Sequence, residues 1–126
     1  MKTGLVIYVT DIENMTNFYS NVFDLVVREK DNTFTALANN QFELVLLKNA
    51  SAKTGEEKTE SIKIRKDTPI KPVIFIDTSI DDIRKMVETN RGGFKSKKSE
   101  WVFNGHKVCD GWDSEGNIFQ IRSSEN

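Results

Sequence analysis

Cysteine and histidine are almost missing: Cys109 and His106 each stand alone in 126 residues. A lone cysteine cannot close an internal disulfide, and a lone histidine cannot supply a multi-histidine metal site. Proline is confined to Pro69 and Pro72. No wholly apolar stretch is longer than residues 5–9. That is far too short to span a bilayer and shorter than the apolar core of a secretory signal. The chain is therefore expected to be cytoplasmic and off the membrane. Neither sign of charge is in excess, with 18 Lys+Arg against 19 Asp+Glu and a net charge of −1. No basic field is present to draw nucleic acid. What is there is 37% hydrophobic and 29% charged, the balance of a globular chain long enough to bury a core as one domain.

The chain repeats itself. Val6-Ile7-Tyr8-Val9 recurs as Val73-Ile74-Phe75-Ile76. Each copy leads into apolar residues at helical spacing, Ile12, Met15, Tyr19, Val22 and Phe23 in the first and Ile80, Ile83 and Val87 in the second. Asp11 and Ser79 precede these helices as N-caps, and Asp82 follows Ser79 at the spacing of a capping box. The second helix is predicted to stop near Asn90, with Gly92-Gly93 supplying the left-handed conformation that closes helices.

Short strands follow each helix. They are predicted over 25–30, 33–38 and 41–48 in the first half, separated by Asp31-Asn32 and Asn39-Asn40. In the second half they are predicted over 94–97, 101–103, 107–112 and 117–122, broken by Asn104-Gly105 and Asp113-Ser114-Glu115-Gly116. Gly116 and Asn117 are assigned to the turn alone. Between the halves, residues 49–71 are polar. Glu56-Glu57-Lys58 reads as a solvated loop, and Ile62 and Ile64 alternate with charges as in an edge or arm strand. The expected organisation is one domain made of a module over 1–48, a connecting arm over 49–71 and a second module over 72–126.

Three segments carry a family resemblance. Tyr8-Val9-Thr10-Asp11 is similar to a first strand and helix cap, and residues 18–25, FYSNVFDL, to the pattern F-Y-x-x-x-L-G-F. Residues 113–121, DSEGNIFQI, resemble D-P-D-G-N-x-x-E-L. Together they resemble the vicinal oxygen chelate superfamily, which includes glyoxalase I, extradiol dioxygenases, fosfomycin-modifying transferases and bleomycin-resistance proteins. Asp24 replaces the usual glycine at a position that can require positive φ, which Asp tolerates better than most side chains. Ser114 replaces the turn proline. The resemblance implies an α+β fold in which two pseudo-symmetric βαβββ modules form a curved mixed sheet around a cavity. It also implies a homodimer.

In metal-dependent members four ligands enter that cavity. Counted along the matching motifs, their positions fall on Gly4, Val45, Lys71 or Pro72, and Gln120. A divalent transition metal wants imidazole, carboxylate or thiolate donors, so the expectation is no metal and no cofactor. Strand periodicity, applied to the family alignment, turns Tyr8, Phe75, Asp110, Trp112 and Gln120 toward the cavity, with Glu43 beside Val45 on the first module. These six are the expected ligand-binding residues. The leading expectation is a metal-free protein of the bleomycin-resistance type that binds a small aromatic or planar molecule, with no catalytic residue assigned. One alternative is a metal-free lyase or isomerase with Glu43 or Asp110 as base. The other is a metal-dependent glyoxalase- or dioxygenase-type enzyme with displaced ligands such as Glu43 and His106. Trp112 and Trp101 either stack on a ligand or pack in the core or at a dimer interface. Cys109 lies an odd number of residues from His106, hence on the opposite strand face, and reads as a small buried thiol. Arg91, Lys95, Lys97 and Lys98 read as a solvated basic face.

Overall fold

A computed structural model describes residues 2–49, 62–67 and 70–124. The chain divides into two compact units, 1–61 and 62–126. The solvated loop expected at Glu56-Glu57-Lys58, and Pro69, lie outside the described residues.

The first unit runs β1 (Thr3–Val9), α1 (Ile12–Phe23), β2 (Val26–Lys30), β3 (Phe34–Ala38) and β4 (Phe42–Lys48). Asp11 caps α1 as expected, its carboxylate accepting from the Asn14 amide at 3.0 Å. The helix ends at Asp24 with φ 55°, the left-handed geometry for which glycine is the usual solution. Asp31 and Asn39 shape the two hairpins by accepting backbone amides two and three residues ahead. The Thr33 hydroxyl and amide on Asp31, joined by the Phe34 amide, hold its carboxyl below the ordinary carboxylate range. The sheet order is β1-β4-β3-β2, with β1 parallel to β4 and the other pairs antiparallel. Met15, Phe18, Tyr19 and Val22 of α1 are buried, as are Leu37, Leu44 and Leu46 of the sheet. Alternation then puts Glu43, Val45 and Leu47 on the opposite face, paired in register with Gly4, Val6 and Tyr8.

The second unit repeats this plan. It runs β5 (Val73–Ile76), α2 (Ile80–Thr89), β6 (Gly93–Phe94), a 3-10 turn (Lys97–Ser99), β7 (Trp101–Phe103), β8 (His106–Trp112) and β9 (Ile118–Ser123). The order is β5-β9-β8-β6, with β5 parallel to β9 and β7 also paired to β8. In both units the first strand thus lies parallel to the last, which is the structural content of the repeat seen in the sequence. The Ser79 hydroxyl caps α2 by accepting the Asp82 amide at 3.1 Å. Ile80, Ile83 and Val87 are buried with Phe119 and Ile121 of β9.

Three details depart from expectation. Arg91, not the glycine pair, takes the left-handed conformation after α2, at φ 72°, and the Gly92 amide returns to the Val87 carbonyl at 2.9 Å. Gly93 is instead a strand residue opposite Trp112, and a Cβ there would fall inside the Trp112 indole. The strand predicted over 94–97 stops at Phe94, because the Ser99 and Glu100 amides fold back onto the Ser96 and Lys97 carbonyls. Residues 62–67 form no strand. They lie against the 113–117 turn, where the Arg65 amide donates to the Gly116 carbonyl at 2.9 Å.

Candidate functional site

Alternation along β8 and β9 sorts the second unit into two faces. Cys109, Phe119 and Ile121 are fully buried on the α2 side. His106, Asp110 and Trp112 of β8, Gln120 and Arg122 of β9, and Phe75 of β5 share the other face, as the pairs Asp110–Gln120, Trp112–Ile118 and Phe75–Arg122 require.

A continuous polar row crosses this face, which is buried at Asp110 and Val108 and exposed at Phe75 and Phe103. The Lys71 ammonium donates to Asp110 Oδ2 at 2.8 Å, and Gln120 Nε2 meets Asp110 Oδ1 at 3.5 Å. Arg122 Nε then donates to Gln120 Oε1 at 3.0 Å. Asp110 is only 4% exposed, and a carboxylate at that depth needs a cationic partner. Lys71 is that partner. Beyond the row the face turns aromatic. The Arg122 guanidinium carbon lies 5.6 Å from the centre of the Phe75 ring and 4.9 Å from that of Phe103. His106 meets Phe75 edge-on at 5.3 Å, and its Nδ1 is 3.0 Å from the Asn104 carbonyl oxygen. Phe75 is 62% exposed and Phe103 47%.

Of the six expected ligand-binding residues, Phe75, Asp110, Trp112 and Gln120 fall together on this face. Tyr8, 67% exposed, and Glu43, also exposed, lie on the corresponding face of the first sheet. They are not adjacent there, since Glu43 pairs with Gly4 and Tyr8 with Leu47. Trp112 is half-buried and rests one side of its indole against Gly93. Sequence reasoning passed over Arg122 and Phe103. The signal for Arg122 was available, because a residue two beyond Gln120 must share its face.

The four family ligand positions are poor in metal donors. Gly4 and Val45 offer none, Lys71 is engaged with Asp110, and Gln120 brings a neutral amide already bonded on both sides. Among the described residues, no three His, Cys, Asp or Glu side chains gather into a metal-holding group. This donor set does not fit a divalent transition metal.

Cys109 and His106 occupy opposite faces, as the odd spacing required. The thiol sits 3.7 Å from the Lys95 carbonyl oxygen. Burial pushes its pKa above the ordinary 9.0, with the Glu100 and Asp110 carboxylates pushing the same way against the opposing pull of Arg84. A buried protonated thiol is a poor nucleophile. Arg84 itself bonds Glu100 at 2.7 Å and Asp81 at 2.9 Å. Of the expected basic face, Lys97 joins this group through Asp81 at 3.5 Å.

The repeated strand–helix–strands plan, parallel first and last strands included, agrees with a family model that matches residues 4–93, well over half of the chain. The chain belongs to the Glyoxalase/Bleomycin resistance protein/Dioxygenase superfamily. No curated protein matches it. Among solved structures, the chain is similar to a family enzyme from Burkholderia phytofirmans PsJN at 18% identity and TM-score 0.72, with 96% of each chain covered. An integron cassette protein from the mobile metagenome of V. cholerae is 19% identical at TM-score 0.66, covering 98% of this chain and 94% of its own. Lactoylglutathione lyase from Agrobacterium tumefaciens is 14% identical at TM-score 0.66, covering 99% and 94%. At these identities the likeness establishes the superfamily fold and leaves chemistry to the residues themselves.

Proposed function

We propose that this superfamily member is a metal-free binding protein for a small planar or aromatic molecule, taken up on the open face of the second sheet. The observation that carries the reading is the coincidence of exposed Phe75 with an ordered polar row on a face whose family metal positions lack donors. Exposed aromatic surface beside a few fixed polar groups is the usual makeup of a small-molecule site. Trp112 and Gln120 complete it. Tyr8 and Glu43, on the equivalent face of the first module, remain part of the proposal on the family resemblance. Binding is favoured over catalysis because both Asp110 carboxylate oxygens are already engaged, one by Lys71 and the other by Gln120. Action in the cytoplasm and as a homodimer completes the reading, with neither nucleic acid nor membrane as partner. The homodimer rests on the family resemblance and the exclusion of nucleic acid on the near-zero net charge; no described helix is long and apolar enough to cross a membrane.

The deciding experiment is elemental analysis of untagged protein before and after incubation with Ni, Co, Mn, Zn and Fe. Retention below about a tenth of an equivalent throughout is expected from donors this poor. Near-stoichiometric retention of one metal would overturn the reading and make glyoxalase-type chemistry the leading case. A second expectation concerns Trp112→Ala. It should remove the Trp112 share of the fluorescence change that a bound planar ligand causes, leaving only that of Trp101, with the protein still folded by circular dichroism. An unaltered response would move the site elsewhere.

A further inference from the structure

We infer that the open face of the second sheet selects a planar aromatic carboxylate, with the Arg122 guanidinium as its anion receptor. The inference rests on the binding reading above and adds the charge of the ligand. It begins with the charges along the polar row. Lys71 neutralises Asp110 through a 2.8 Å ion pair, and Gln120 is neutral. Among the described residues, Arg122 has no carboxylate partner, and its Nε bond to Gln120 is its one hydrogen bond. Among the described residues both terminal amino groups of the guanidinium are therefore uncommitted, and the row carries one positive charge at its Arg122 end that no described carboxylate meets.

That charge is also held in place. Phe75 and Phe103 lie against the guanidinium at 5.6 and 4.9 Å, and Gln120 fixes its Nε edge. Two ring contacts and one hydrogen bond restrain a side chain that otherwise samples many rotamers, so less freedom is lost when an anion docks. A guanidinium presents parallel N–H donors that match the two oxygens of a carboxylate. The rings that restrain Arg122 are themselves exposed, and Trp101 stands two strands away, across Val108. With strands spaced about 4.8 Å apart, roughly 10 Å separates the backbone at Trp101 from that at Arg122, and exposed Phe75 and Phe103 are the rings nearest the guanidinium.

Isothermal titration calorimetry with 2-naphthoate, its uncharged analogue 2-naphthamide and 2-naphthyl phosphate tests the idea on the full chain. Native protein should bind 2-naphthoate about tenfold or more tighter than 2-naphthamide, the difference expected of a charge-assisted hydrogen-bonded pair. Arg122→Gln should erase that preference. Arg122→Lys, which keeps the charge and loses the fork, should retain only part of it, and it serves as the reading if the glutamine variant does not fold. Equal binding of acid and amide by native protein sinks the inference while leaving the binding-protein reading in place. So does an acid preference that survives Arg122→Gln. A clear preference for the phosphate over 2-naphthoate overturns the carboxylate assignment. Absence of saturable binding by all three probes removes both the inference and the reading on which it rests.

Discussion

Asp113→Ala is expected to destabilise the second unit by about 3 kcal/mol, more than any substitution on the open face. The residue is fully buried and organises the turn between β8 and β9 from within. Its Oδ1 accepts from the Glu115 amide at 2.9 Å and the Asn117 amide at 3.0 Å, while both carboxylate oxygens accept from the Asn117 side-chain amide. Removing the carboxylate strips the acceptor from two backbone donors at once, and a buried donor left without a partner costs on the order of 1–3 kcal/mol. Asp113→Asn keeps one carbonyl oxygen and should lose about half as much. Urea denaturation followed by tryptophan fluorescence measures this directly, because Trp101 and Trp112 both lie in the second unit and report on it alone. A loss below about 1 kcal/mol for the alanine variant, the worth of one ordinary hydrogen bond, would mean that the turn does not depend on its carboxylate.

That turn also marks how far the sequence could be read. The D-S-E-G-N segment was recognisable as a turn, the repeat and both N-caps followed from residue spacing and local chemistry, and the family resemblance pointed to Asp24 as the left-handed position. Such features are decided within a few residues of one another. What escaped depended on contacts between distant segments. Gly93 resembles a helix terminator until Trp112, on another strand, is found lying over it. Ile62 and Ile64 alternate like a strand, yet their segment is held by the Gly116 carbonyl and forms no ladder. The candidate site divides the same way. Period-two alternation, anchored on the family resemblance, placed Phe75, Asp110, Trp112 and Gln120 on one face. It could not reveal that Lys71 would neutralise Asp110, nor that Arg122 would sit between two rings with no acidic partner among the described residues, because the strand register joining β5, β8 and β9 is not written in any one segment.

Gly116→Ala provides the sharpest check on the long-range contact at this turn. The residue sits at φ 86°, where an L side chain costs about 1–2 kcal/mol, and an added Cβ would run into the Lys63 carbonyl. Gly105 separates the two contributions. It has φ 76°, similar to Gly116, with nothing within 4 Å of an added Cβ, so Gly105→Ala should show the backbone cost alone. The expected losses are about 1 kcal/mol for Gly105→Ala and about 3 kcal/mol for Gly116→Ala, the difference reporting the crowding against residues 62–67. The same variant has an escape route that can be read separately. If the segment lets go of the turn, the stability loss shrinks toward the Gly105→Ala value plus roughly 1 kcal/mol for the Arg65 amide bond. Amide hydrogen exchange at Arg65 would then accelerate as that bond opens. Equal losses for the two variants with the Arg65 amide still protected would show that residues 62–67 do not press on the turn. A larger loss at Gly116, or a freed Arg65 amide, would show that the segment preceding the second module is packed against the turn that anchors β9, the strand carrying Gln120 and Arg122.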